Sequence, residues 1–150
     1  MHRLLATNKN TARNFIQAYV LDNRQTVVKS YYYGSKQVNQ QSLTLSAAGE
    51  KSVFEGSNHQ FHDGGYYEIM TLDNDHSLSL LNFVNTHGKT RIRVEGVGDK
   101  PSRNWVYYLN DKEKEALSDT YQLGWLMKDI NRLEQMQRTA HAQIDRYNHK

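Results

Sequence analysis

The sequence predicts an α+β fold, in which an antiparallel, twisted sheet or small barrel is followed by one long C-terminal helix. Three observations carry that expectation. Short runs of alternating or β-branched residues, separated by turn residues, fill most of the chain between Phe15 and Leu109. From about residue 111 to 147 the apolar spacing changes to alternating steps of three and four, the period of a helix. At the changeover, Asn110 and Glu113 have the form of a capping box, in which each side chain can bond the other's backbone N–H.

Taken in order, Leu4 to Leu21 fits two patterns. Ala12, Phe15, Ile16, Tyr19 and Val20 make a helical face, while Phe15, Gln17, Tyr19 and Leu21 alternate as a strand does. Because Asp22-Asn23-Arg24 is a turn signal and Gln25 to Tyr33 is rich in β-branched and aromatic residues, a hairpin over Phe15 to Tyr33 is favoured. Gly34 to Gln41 is a polar connection. Ser42 to Ala47 alternates with Leu43, Leu45 and Ala47 on one face, and a turn at Ala48-Gly49-Glu50 leads to its mate at Ser52 to Glu55.

Gly56 to Gly65 reads as a long polar loop. Beyond it Tyr66–Leu72, Ser77–Val84, Lys89–Glu95 and Asn104–Leu109 read as four strands of an antiparallel meander. Leu78 and Leu80 share one face of the second run but Leu81 and Phe83 take the other, which calls for a bulge there.

In the C-terminal helix the main stripe is Ala116, Leu123, Leu126, Ile130, Leu133, Ala140, Ile144 and Tyr147, interrupted by Asp119 and Gln137. Leu117, Tyr121 and Trp125 lie nearly opposite, so the first half is expected to be buried on more than one side, with the Ala116–Leu133 portion across an open sheet face. A helix from Lys112 to Tyr147 would be roughly 54 Å long, whereas a body made of the rest of the chain would be about 35 Å across. Either the helix breaks, with Gly124 the place to do so, or its end overhangs and meets a second chain. The order of seven or eight strands closed by an amphipathic helix resembles that of pleckstrin-homology-like barrels. The resemblance implies a fold, and no function.

At 150 residues the chain has the length of a single domain, 1–150. It holds no Cys, which excludes a thiol nucleophile, a disulfide framework and cysteine-ligated zinc. The net charge of +3 is concentrated in residues 1–30, which carry five Lys or Arg against one Asp; elsewhere the signs are interspersed, against the concentrated basic face that nucleic acid calls for. Met1 to Ala6 is too short and too quickly polar for a signal peptide, and no run of eighteen apolar residues occurs. The expectation is a chain with no membrane span, cytoplasmic unless a leader or anchor preceded Met1. The lack of an Asn-x-Ser/Thr sequon suits a bacterial or phage origin.

Three constellations bear on function. Leu133, Ala140, Ile144 and Tyr147 form a narrow apolar seam on an otherwise polar helix end, which wants one apolar partner. Lys89, Arg91 and Arg93, on one face of a strand, would with nearby Tyr rings suit an anion such as single-stranded nucleic acid, although alternating cations also dress a solvated sheet. His59, His62 and Asp63 are ligand types for a divalent metal, but Gly56 and Gly64-Gly65 place them in a loop and no fourth ligand is indicated. Gly96 to Ser102 lacks the spacing of a phosphate loop, and no nucleophile elbow or zinc-protease helix occurs. The sequence therefore points to a non-catalytic protein-interaction or assembly module without cofactor, self-associating through the distal helix as a homodimer or small homo-oligomer. An anion-binding domain at Lys89/Arg91/Arg93 is the alternative, and a metal-dependent enzyme at His59/His62/Asp63 the third reading.

Overall fold

A computed structural model describes residues 13–148. The expectations for Leu4 to Ala12, and for the first six residues, lie outside the described residues. The fold is α+β, with two antiparallel four-stranded sheets and a long C-terminal helix. In the first sheet β1 (Arg13–Val20), β2 (Thr26–Gly34), β6 (Tyr66–Leu72) and β5 (Ser57–His62) lie in the order β1-β2-β6-β5. In the second, β4 (Glu50–Glu55), β3 (Ser42–Ala47), β7 (Arg93–Val97) and β8 (Trp105–Tyr108) lie in the order β4-β3-β7-β8.

The β1–β2 hairpin forms as the turn signal implies, with Val20 opposite Thr26. The β3–β4 hairpin closes on Ala48 and Gly49, both at positive φ (50° and 81°), with Ala47 opposite Glu50. Two consecutive left-handed residues make the tight turn whose twist matches that of the strands, and Gly49 takes that conformation without steric cost.

Ser77–Val84 is not a strand. It belongs to α1 (Asn74–Thr86), whose N-cap Asp73 accepts the His76 N–H at 2.8 Å. The apparent bulge is helical period seen through a strand template: Ser77, Leu80, Leu81 and Val84 share one buried face. The β2–β6 pairing ends at Val28 and Leu72, and the first turn of α1 continues the work of the missing neighbour. Asn74 Oδ1 accepts from Thr26 N at 2.8 Å, and Ser77 Oγ accepts from Val28 N at 2.9 Å while donating to Leu72 O.

Gly56–Gly65 is not a loop either, since Ser57–His62 pairs with β6 as an edge strand. Its exposed polar residues gave no apolar alternation to read; backbone pairing with β6 defines it. The expected four-strand meander is thus divided, with β6 in one sheet and β7 and β8 in the other. Helix α1 between them departs from the pleckstrin-homology-like order.

One core joins both sheets and the helices: Val28, Met70 and Leu72 from the first sheet, Leu43, Leu45 and Val94 from the second, Leu80, Leu81 and Val84 from α1. Tyr32 stacks on Trp105 across the two sheets at 6.1 Å. Glu68, fully buried among them, ties the 35–41 connection to the first sheet. Its oxygens accept from Val38 N (2.6 Å), Asn39 N (3.1 Å), Gln40 N (2.9 Å) and Asn58 Nδ2 (3.0 Å).

Candidate protein-interaction surface

The C-terminal helix, α2 (Asp111–Asn148), begins at the expected capping box: Asn110 Oδ1 accepts from Glu113 N at 2.8 Å, and Glu113 Oε1 from Asn110 N at 3.2 Å. It runs unbroken for 38 residues, about 57 Å at 1.5 Å per residue. Gly124 does not interrupt it. This glycine is buried against β2 and α1, where a Cβ would stand 2.5 Å from Thr26 Oγ1 and 3.0 Å from Leu78 Cδ2. Its role is close approach.

The docked face runs through Leu117, Tyr121, Gly124 and Asn131. Leu117 is in the core, and Tyr121 packs against it while its hydroxyl donates to Asn82 Oδ1 at 3.0 Å. Lys114 Nζ reaches Thr90 O at 3.0 Å. Farther along, Arg24, at the tip of the β1–β2 hairpin, donates to Asn131 Oδ1 (3.0 Å) and Glu134 Oε2 (2.8 Å). That hydrogen bond, reinforced by the charges of Arg24 and Arg138, holds the Glu134 carboxyl below the usual carboxylate range. Beyond Glu134 every described residue of the helix is exposed.

The first half of the helix was expected to be buried on both apolar faces, the main stripe included. That stripe faces away from the domain. At 100° per residue, Leu126, Leu133 and Ile144 lie about 180° from the Leu117–Gly124 face, which leaves Leu126 54%, Leu133 54%, Ile144 56% and Tyr147 77% exposed. Leu123 and Trp125 are exposed as well, so the first half is not buried all round, and past Glu134 so is Met136. The partner of the docked face is α1 together with β1, rather than an open sheet surface. The outer stripe keeps strict three-four spacing from Leu123 to Tyr147, with Leu123, Ile130, Gln137 and Ile144 at one seam position and Leu126, Leu133, Ala140 and Tyr147 at the other. The four residues singled out from sequence therefore share one exposed surface, and Leu123, Leu126 and Met136 extend it.

The other two constellations are not brought together as expected. Lys89 lies in the turn after α1 and Arg91 precedes β7, so only Arg93 is on the strand. The β7 strand starts four residues later than the alternation suggested, because the segment before it ends α1 and turns. Arg91 lies over the Tyr108 ring at 3.6 Å, and Arg93 bonds Glu95 at 3.3 Å. His59 and His62 fall three apart on a strand, which sends them to opposite faces, and His62 stacks on Tyr66. Among the described residues, no three His, Cys, Asp or Glu are gathered to hold a metal ion, and no helix is long and apolar enough to cross a membrane.

Comparison with protein-family models, with curated proteins and with solved structures finds no match.

Proposed function

We propose that this protein is a non-catalytic interaction module that associates with a second copy of itself through the outer seam of α2. The observation that supports this reading is that the seam is exposed from Leu123 to Tyr147 at every position but the half-buried Ile130, and continues in register for thirteen residues past Glu134, where every described residue of the helix is exposed. Leaving such a stripe in water forgoes the burial that stabilises an amphipathic helix, and a helix end of this length is marginal alone. A seam of three-four spacing is best covered by another of the same spacing, knobs of one helix entering holes of the other. A second copy carries that surface. Six side chains on the seam or at its edge, Leu123, Leu126, Leu133, Met136, Ile144 and Tyr147, are between 43% and 77% exposed and offer roughly 600 Å² per chain, close to the roughly 800 Å² per partner of a specific interface. The polar Gln137 and small Ala140 thin the seam, so the association is a modest one.

Measuring mass in solution for the whole chain and for a chain ending at Glu134 tests the reading. The whole chain should sediment as a dimer or small oligomer that dissociates on dilution, and the shortened one as a monomer with the same monomer stability. A whole chain that stays monomeric at about 100 μM, far above the micromolar range of ordinary association, overturns it.

A further inference from the structure

Resting on that reading of α2, we infer that the two helices pair antiparallel about an axis near Gln135, each body at the opposite end of the pair. In this register Leu123 faces Tyr147 of the second copy, Leu126 faces Ile144, Ile130 faces Ala140, and Leu133 faces Gln137. Every seam residue from 123 to 147 then has a partner, and none runs past the end of the described helix.

Side-chain volume favours this arrangement. A parallel pair in register would set Ala140 against Ala140, leaving a void, and Tyr147 against Tyr147, crowding the next layer. The antiparallel register puts small opposite large at Ala140 and Ile130, and gives Tyr147 the smaller Leu123. Gln137 lies against Leu133 near the middle, where its amide can bend to the wet rim of the seam rather than bury beside a second amide.

Charge points the same way. In a parallel pair the residue just before one seam position faces the residue just after the other, one heptad on, in the partner. That would set Asp129 against Glu134 twice, by symmetry. The antiparallel pair instead brings Glu134 to its own copy once, at the axis, and each of these carboxylates is already bonded by Arg24 at 2.8 Å. On the other flank of the seam Met136 meets Met136, adding exposed apolar surface to the contact. Most of each body lies on the Leu117–Gly124 side of its own helix, about 180° from the seam, and only the β1–β2 hairpin tip, through Arg24, reaches round to Glu134 at the seam's edge.

The chain has no Cys, so single cysteines report geometry cleanly. In the full chain, Ile130→Cys and Ala140→Cys are made separately, then oxidised alone and as an equimolar mixture. In the antiparallel register two copies of one variant hold their thiols about 15 Å apart along the axis, too far for a disulfide, whereas the mixture brings 130 and 140 together. Crosslinking only in the mixture, up to about half of the chains by random pairing, is the expected result. Leu126→Cys with Ile144→Cys, about 27 Å apart within like pairs, repeats the test at a residue that touches less of the body. Crosslinking of each variant alone, or of neither mixture, in a protein that sediments as a dimer overturns the antiparallel register and leaves self-association standing. A monomer under the same conditions overturns both.

Discussion

Two leucines sixteen residues apart on α2 should respond to the same substitution in opposite ways. Leu117 is 1% exposed and sits in the core, so Leu117→Ala removes buried methyl groups and leaves a cavity, at about 2–5 kcal/mol of folding stability. Leu133 is 54% exposed, so little of its burial belongs to the monomer. Pairing would bury the other half of a side chain whose full burial is worth about 1.5–3 kcal/mol, or about 1 kcal/mol per copy, with a smaller cavity contribution added. Both copies lose it, so Leu133→Ala should cost about 2–3 kcal/mol of association and weaken the dimer about 30- to 150-fold. Urea unfolding at dilutions where both proteins are monomeric reads the first quantity, and sedimentation over a concentration series reads the second. The reasoning fails if Leu133→Ala lowers the monomer's urea midpoint as Leu117→Ala does, or if association is indifferent to it.

The remaining predictions concern the body and its grip on the helix. Glu68→Gln keeps one acceptor oxygen but turns an amide N–H₂ toward backbone donors, losing about two charge-assisted hydrogen bonds; a loss of about 3 kcal/mol in urea unfolding is expected, and one below about 1 kcal/mol refutes the clamp. Ala48→Asn should stabilise the chain by about 0.5–1 kcal/mol, because Asn tolerates the φ of +50° better than Ala; a loss in the thermal midpoint counts against the turn assignment. Gly124→Ala gains about 1 kcal/mol of helix propensity but forces a Cβ to 2.5 Å from the buried Thr26 hydroxyl oxygen, at about 1–3 kcal/mol, so calorimetry should show a net loss rather than the gain of a solvent-facing glycine. Glu134, bonded by Arg24, and Asp73, bonded first by the His76 N–H, both titrate below their ordinary values. Folded pKa values below unfolded ones give stability that is complete above the unfolded pKa and disappears as the pH falls through the folded one, here below about pH 4. Glu134→Gln should remove its share of that acid dependence in urea midpoints measured from pH 6 to pH 2, and an unchanged profile would contradict the Arg24 contact.

What the sequence disclosed depended on how local the signal was. The capping box at Asn110 and Glu113, the β1–β2 turn and the β3–β4 hairpin each involve residues a few positions apart, and all three stand. Edge strand β5 has no buried residue and is defined by backbone pairing to β6, which leaves no mark on its side chains. Helix α1 did leave marks, namely Asp73 as N-cap and the shared face of Ser77, Leu80, Leu81 and Val84. They were overridden by turn residues on both sides that made a short apolar run resemble a strand. The cations at 89, 91 and 93 were spaced like a strand face only because alternation was assumed to begin before Arg93. For the candidate surface, the four residues Leu133, Ala140, Ile144 and Tyr147 were legible because past Glu134 the helix has no competing apolar face.

Nearer its start, α2 has two apolar faces, and hydrophobicity alone ranks them wrongly. The outer stripe has the larger aliphatic residues, yet the Leu117–Tyr121–Gly124 face docks. The reason lies in the body's surface. Thr26, Leu78 and Asn82 offer a shallow bed, which a helix can enter closely only where it carries a glycine, and Gly124 occurs on that face alone. The polar partners agree: the amide of Asn82 meets the Tyr121 hydroxyl, the Thr90 carbonyl meets Lys114, and Arg24 meets Asn131 and Glu134. Rotating the helix by half a turn would bury Leu123, Leu126 and Ile130 but press bulky side chains where Gly124 now sits, and would leave Arg24 and Asn82 without these bonds. Close packing and specific hydrogen bonds thus outweigh raw apolar area at the dock. The large residues face outward, with the spacing that another helix requires.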